Sequence, residues 1–135
     1  MATRGMRNNN PGNIRKGLNW LGLADKQTDP AFCQFKSMEY GVRAIGKLLM
    51  TYQSKHGLRT IRGMINRWAP PQDHNDTTAY VNYVCRQLMV KPDDVINIKD
   101  EGTMEIVVSA IIHVENGYGL QSEIVKKGVK MALGK

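Results

Sequence analysis

Between Asp100 and Gly117 the chain carries its most apolar stretch, and the spacing inside it leaves little choice of local structure. Met104, Val107, Val108, Ile111 and Ile112 recur at three- and four-residue intervals, the period of a helix that buries one wide face. Asp100 stands where an N-cap is expected, and Gly117 where a helix ends in a left-handed residue. The spacing predicts a helix from near Asp100 to Gly117 that forms the centre of the fold.

Glu115 continues that stripe. Met104, Val108, Ile111 and Glu115 are spaced by four, three and four, which puts a carboxylate on the core side of the helix near its C-terminus. Desolvation and the negative end of the helix dipole both disfavour the ionised form there. A general acid working near neutrality needs such surroundings, so Glu115 is the candidate proton donor. The plain structural alternative is a frayed helix end, with Glu115 turned to water or paired with Arg43 or Lys47. Glu39 follows Ser37 in a first helical turn, where a negative charge helps the helix whatever else it does. Asp25 and Asp29 remain as candidates for a second carboxylate, although as turn formers they need no function.

The rest of the chain reads as helices around this central one. Ser37 precedes a stripe of Val42, Ile45, Leu48, Leu49 and Tyr52, which His56-Gly57 ends. Thr60 precedes Ile61, Met64, Ile65 and Trp68, and Pro70-Pro71 must stop that helix. Asn75 or Asp76 precedes Tyr80, Val81, Val84 and Leu88. After a loop near 91–99 and the central helix, Ser122 precedes Ile124, Val125, Val129 and Leu133. The first 36 residues, rich in Gly, Asn and Pro, are expected to form turns around short strands, a small irregular β region. The expectation is an α+β, mainly α chain, one domain over 1–135, with no internal repeat.

Nineteen Lys and Arg against 12 Asp and Glu give a net charge of +7, which suits a solvated surface and also attracts polyanions. No apolar run approaches the ~18 residues of a membrane span, and MATRGMRNNN lacks a secretory signal. Cys33 and Cys85 lack metal-ligand spacing, and His56, His74 and His113 lie far apart along the chain. Neither a metal nor a cofactor is expected. Two separate buried thiols are favoured over a disulfide.

Three runs, RGMRNNNPGNIR (4–15), FCQFKSMEYGVRAIGKLL (32–49) and RWAPPQDHNDTTAYVNYV (67–84), resemble a lysozyme-like group common in bacteriophages and prophages. The order of parts is similar to the glucosaminidase and lytic-transglycosylase branches of the lysozyme superfamily, with one displacement. Those families place the helix ending in the catalytic Glu before the Asn-rich turn; here SAIIHVENGYG comes near the end of the chain. The resemblance thus implies a lysozyme-like fold, circularly permuted, with Glu115 in the catalytic place. It further implies Tyr80 as a hydroxyl near the acid and Asn13 as a polar group on the β side of the cleft. Trp20 and Tyr118 are candidates to stack on sugar rings; Trp68 is better suited to the core.

Two glycan-cleaving schemes stay open. Glu115 alone would serve as acid and then base while the sugar's own 6-hydroxyl attacks, or Asp25 or Asp29 would assist a hydrolysis. The expected partner is the glycan strand of bacterial peptidoglycan, alongside other virion proteins. The expected location is the phage virion or the host envelope and periplasm, reached from the cytoplasm without a signal peptide. Two other classes compete: a non-catalytic lysozyme-fold structural protein of a phage particle, and sequence-independent nucleic-acid binding drawn from the +7 charge.

Overall fold

In the computed structural model, which describes residues 2–135, the apolar stripes become helices close to the predicted bounds. They are α1 (Arg4–Arg7), α2 (Met38–His56), α3 (Ile61–Trp68), α4 (Thr77–Leu88), α5 (Glu101–Asn116) and α6 (Ser122–Leu133), with a single 3-10 turn at Pro71–Asp73. Thr60, Asp76 and Asp100 cap α3, α4 and α5 by accepting the amides of Gly63, Ala79 and Thr103. Gly57, Gly117 and Gly134 end α2, α5 and α6 in the left-handed region, which costs glycine no Cβ clash.

Helix α5 is the centre. Met104, Val107, Val108, Ile111 and Ile112 are fully buried, and α5 packs against α1, α2, α4 and α6. Helices α2 and α6 approach closely because Gly128 has no side chain. A Cβ there would lie 2.4 Å from Val42 Cγ1 and 2.9 Å from the Glu39 carbonyl oxygen. One apolar core joins Met6, Ile14 and Phe35 of the N-terminal segment to residues of α2, α3, α4, α5 and α6.

Three expectations are corrected. The N-terminal region contains no strand among the described residues, only isolated antiparallel bridges at Arg15–Phe32 and Leu23–Phe35. Side-chain amides take over the ladder's role there: Asn10 donates to the carbonyls of Ile14 and Cys33, and Gln27 to those of Ala24 and Gln34. Helix α1 is a single turn within the segment expected to hold only turns and strands, and the Thr3 hydroxyl caps it by accepting the Met6 amide at 3.3 Å. Ser37 occupies the N-cap of α2 as the sequence predicts, without a side-chain cap bond. Gln121, not Ser122, is the N-cap of α6.

Cys33 and Cys85 are both buried, free thiols, and burial pushes each above the ordinary thiol range. Among the described residues, no helix is long and apolar enough to cross a membrane, and no cluster of His, Cys, Asp or Glu has the makings of a metal site.

Candidate active site

The Asn-rich run of the N-terminal segment builds one wall of the site, each asparagine holding a different piece of chain. Asn8 donates to Asp29, Asn9 to the Phe35 carbonyl, and Asn10 to Ile14 and Cys33 while accepting the Ile14 amide. Asn9 and Asn13 both adopt φ near 51°, a left-handed conformation that asparagine tolerates better than most residues. The run is then fastened to the end of α5. Asn116 donates to the carbonyls of Pro11 and Ile112 and accepts the Thr3 hydroxyl. Gly5 makes room for this junction, since a Cβ there would fall 2.7 Å from Asn13 Oδ1 and 2.9 Å from Asn116 Oδ1.

This fastening brings Asn13 to Glu115 across 102 positions of sequence. The Asn13 amide donates to Glu115 Oε1 at 3.1 Å, and the Tyr80 hydroxyl of α4 donates to Oε2 at 2.9 Å. Each carboxylate oxygen thus has its own donor, which fixes the plane of the group. Tyr80 is only 5% exposed. Burial foremost, then the charge and hydrogen bond of Glu115, push its phenol well above the usual range, so Tyr80 stays a donor. Glu115 itself is half-buried rather than sealed in the core.

Its carboxylate lines an open groove of about 480 Å³. One stretch of lining comes from the N-terminal segment, including Asn13, Arg15, Lys16, Trp20 and Phe32. The other comes from Leu48 and Tyr52 of α2, from Arg67 and Trp68 at the end of α3, and from Asp73 and Asn75. The site is one carboxylate, Glu115, held by two donors, with Asp73 on the lining of the same cleft between aromatic and cationic walls. It can give a proton to, or take one from, a polar ligand lying in the groove.

No protein-family model matches the sequence. Protein P5 of Pseudoalteromonas phage PM2 is 41% identical over 132 residues, covering 94% of this chain and 80% of that protein. The chain belongs to the P5 family. It is therefore a phage-type protein, and the site above is described for a member of that family.

Of the site residues expected from the sequence of this P5 relative, the structure brings Glu115, Asn13 and Tyr80 into direct contact and sets Trp20 in the groove wall. The Trp20 indole N–H is the one buried side-chain donor without a partner among the described residues. Tyr118 does not line the groove; it is exposed, and its hydroxyl accepts the Thr3 amide at 3.3 Å. Neither aspartate considered as a second carboxylate lines the groove. Asp25 is exposed. Asp29 is buried and committed elsewhere, accepting both arms of Arg4 at 2.6 and 2.7 Å, the Asn8 amide, and the backbone amides of Ala31 and Phe32. The Arg4 guanidinium, above all, holds the Asp29 carboxyl far below the carboxylate range.

Asp73 is a groove carboxylate that the sequence reading missed, as are the cations Arg15, Lys16 and Arg67. Their only sequence signal is adjacency: Arg67 precedes Trp68, Asp73 follows the paired prolines, and Arg15-Lys16 follow the Asn-rich turn. Arg43 and Lys47 form no ion pair with Glu115.

Proposed function

We propose that the chain cleaves the glycan strands of bacterial peptidoglycan, with Glu115 as general acid and then base, in a permuted lysozyme-like fold. One observation carries the reading: a carboxylate at the end of the central helix, gripped by Asn13 and Tyr80, faces an open groove with an aromatic wall. The attachment of the Asn-rich turn to the end of α5 supports the permutation, because the turn follows the acid in space although it precedes it in sequence.

Glycoside cleavage needs a proton for the leaving oxygen and support for an oxocarbenium-like transition state. Glu115, protonated, gives its proton to the glycosidic oxygen as the bond from that oxygen to the sugar's C1 breaks. The carboxylate left behind then takes the proton of the same sugar's 6-hydroxyl, whose oxygen closes on C1 and leaves a 1,6-anhydro end. This route consumes no water and needs no second enzyme carboxylate. The positions of Asp25 and Asp29 outside the groove favour it over a hydrolysis assisted by either. Asn13 and Tyr80 orient the acid, and Trp20 offers a ring face for a sugar.

Membership in a phage-protein family supports action at the host envelope, with the chain carried in the virion or released at lysis beside other phage proteins. The test is release of soluble fragments from purified sacculi. Wild type and Glu39→Gln should both release them and Glu115→Gln should not; equal release by Glu115→Gln would remove Glu115 from the reaction.

A further inference from the structure

We infer that the groove beside Glu115 selects glycans whose sugars carry carboxylates, and that Arg15, Lys16 and Arg67 read them; the choice of ligand class rests on the cleavage reading. The three cations come from two separate stretches of chain and line one groove. Four cations outside the groove meet acids: Arg4 with Asp29, Arg62 with Asp93, and Lys130 and Lys135 with Glu101. Arg15, Lys16 and Arg67 have no ion-pair partner among the described residues, as is true of most of the other Lys and Arg; what sets them apart is that all three line one cleft. Asp73 lines the same groove without pairing with them.

The two arginines are also held in a way that leaves their donors free. The Arg67 guanidinium lies 5.4 Å from the centre of the Tyr52 ring, and that of Arg15 lies 5.0 Å from the centre of Phe32. A ring face supports the flat guanidinium and leaves its in-plane N–H fork unspent. That fork matches a carboxylate, which accepts two parallel N–H bonds, and has no equal match in a sugar hydroxyl or acetamide. A nucleic acid also carries anions, but a chain with a charge on every unit would have to pass the carboxylates of Glu115 and Asp73. A glycan with carboxylates on alternate sugars spaces its negative charges more widely along the groove than a nucleic acid does.

In peptidoglycan these carboxylates have two sources, the lactyl ether on alternate sugars and the stem peptide attached through it. Binding to the Glu115→Gln chain, measured by calorimetry, separates them without turnover. The probes are chitotetraose, the tetrasaccharide with free lactyl carboxylates, the same tetrasaccharide bearing stem peptides, and single-stranded oligothymidylate. At least one acidic glycan should bind about tenfold more tightly than chitotetraose, with a preference that shrinks as salt rises. The acidic probe that binds tightly identifies the source of the carboxylate. Arg15→Gln and Arg67→Gln, at exposed positions, should each bring the acidic-to-neutral ratio toward one, whereas Arg86→Gln, over Tyr83 outside the groove, should leave it unchanged.

Equal binding of neutral and acidic glycans, a ratio untouched by the groove variants, no glycan binding, or tighter binding of oligothymidylate than of any glycan would overturn the inference. The two readings fail separately. A wild type that releases nothing from sacculi while the preference persists removes cleavage and keeps selectivity; cleavage without preference does the reverse.

Discussion

Tyr80 and Glu115 meet at 2.9 Å, phenol to carboxylate, at the point where α4 passes the end of α5. Because Tyr80 is buried and held protonated, the contact has one direction. The hydroxyl donates, and the carboxylate is aimed by it. Tyr80→Phe keeps the ring and its packing while deleting that donor. A hydrogen bond to a charged group is worth about 1.5–3 kcal/mol, so kcat should fall roughly 10- to 100-fold with the circular dichroism spectrum unchanged. An unaltered kcat would mean that Tyr80 is a core residue only.

Asn13 needs a different substitution, because its left-handed backbone penalises alanine. Asn13→Gly removes the side chain without that strain. Steady-state kinetics should give a kcat about tenfold lower, with KM little changed, as expected when an orienting group rather than a binding group is lost. A rise in KM alone would instead place Asn13 among the groups that hold substrate.

Asp73 decides between the two chemical schemes. It is exposed and lines the groove with Glu115. The single-acid route predicts that Asp73→Asn retains activity within a few-fold. A loss of about 100-fold or more, with products ending in reducing sugars, would make Asp73 the second carboxylate of a hydrolase.

Asp29 should govern acid stability, not catalysis. Its folded-state pKa lies below the ordinary value of 3.8, so its pairing with Arg4 stabilises the fold above that value. The contribution disappears as pH falls below about 4, where the unfolded chain takes up a proton that the folded chain resists. Thermal melts of wild type and Asp29→Asn should therefore differ at pH 7 and converge as pH is lowered through this range. A constant gap across the range would contradict the assignment.

The helices and the position of Glu115 are legible in the sequence because both depend on local spacing. The stripe through Met104, Val108 and Ile111 points to Glu115 without any tertiary information, and the caps Thr60, Asp76 and Asp100 behave as their residue types predict. Asn13 and Tyr80 came from resemblance alone, since nothing local in either residue reports a partner 102 or 35 positions away. Helix α1 was missed because four residues carry no period. The expected strands failed because Asn and Gln side chains satisfy backbone groups that a ladder would otherwise pair. Asp29 looks like any turn aspartate until Arg4 is placed beside it. The groove cations and Asp73 were illegible for the same reason: they belong to separate segments that only the packed helices bring together.

In the proposed reaction Glu115 alone breaks the glycan bond. Mass spectrometry of the fragments released from purified sacculi tests it most directly. Wild type should release muropeptides ending in 1,6-anhydro sugars, and Glu115→Gln, folded by the same melting criteria, should release none. Intact sacculi after treatment with wild type, or the same anhydro products from Glu115→Gln, would contradict the account.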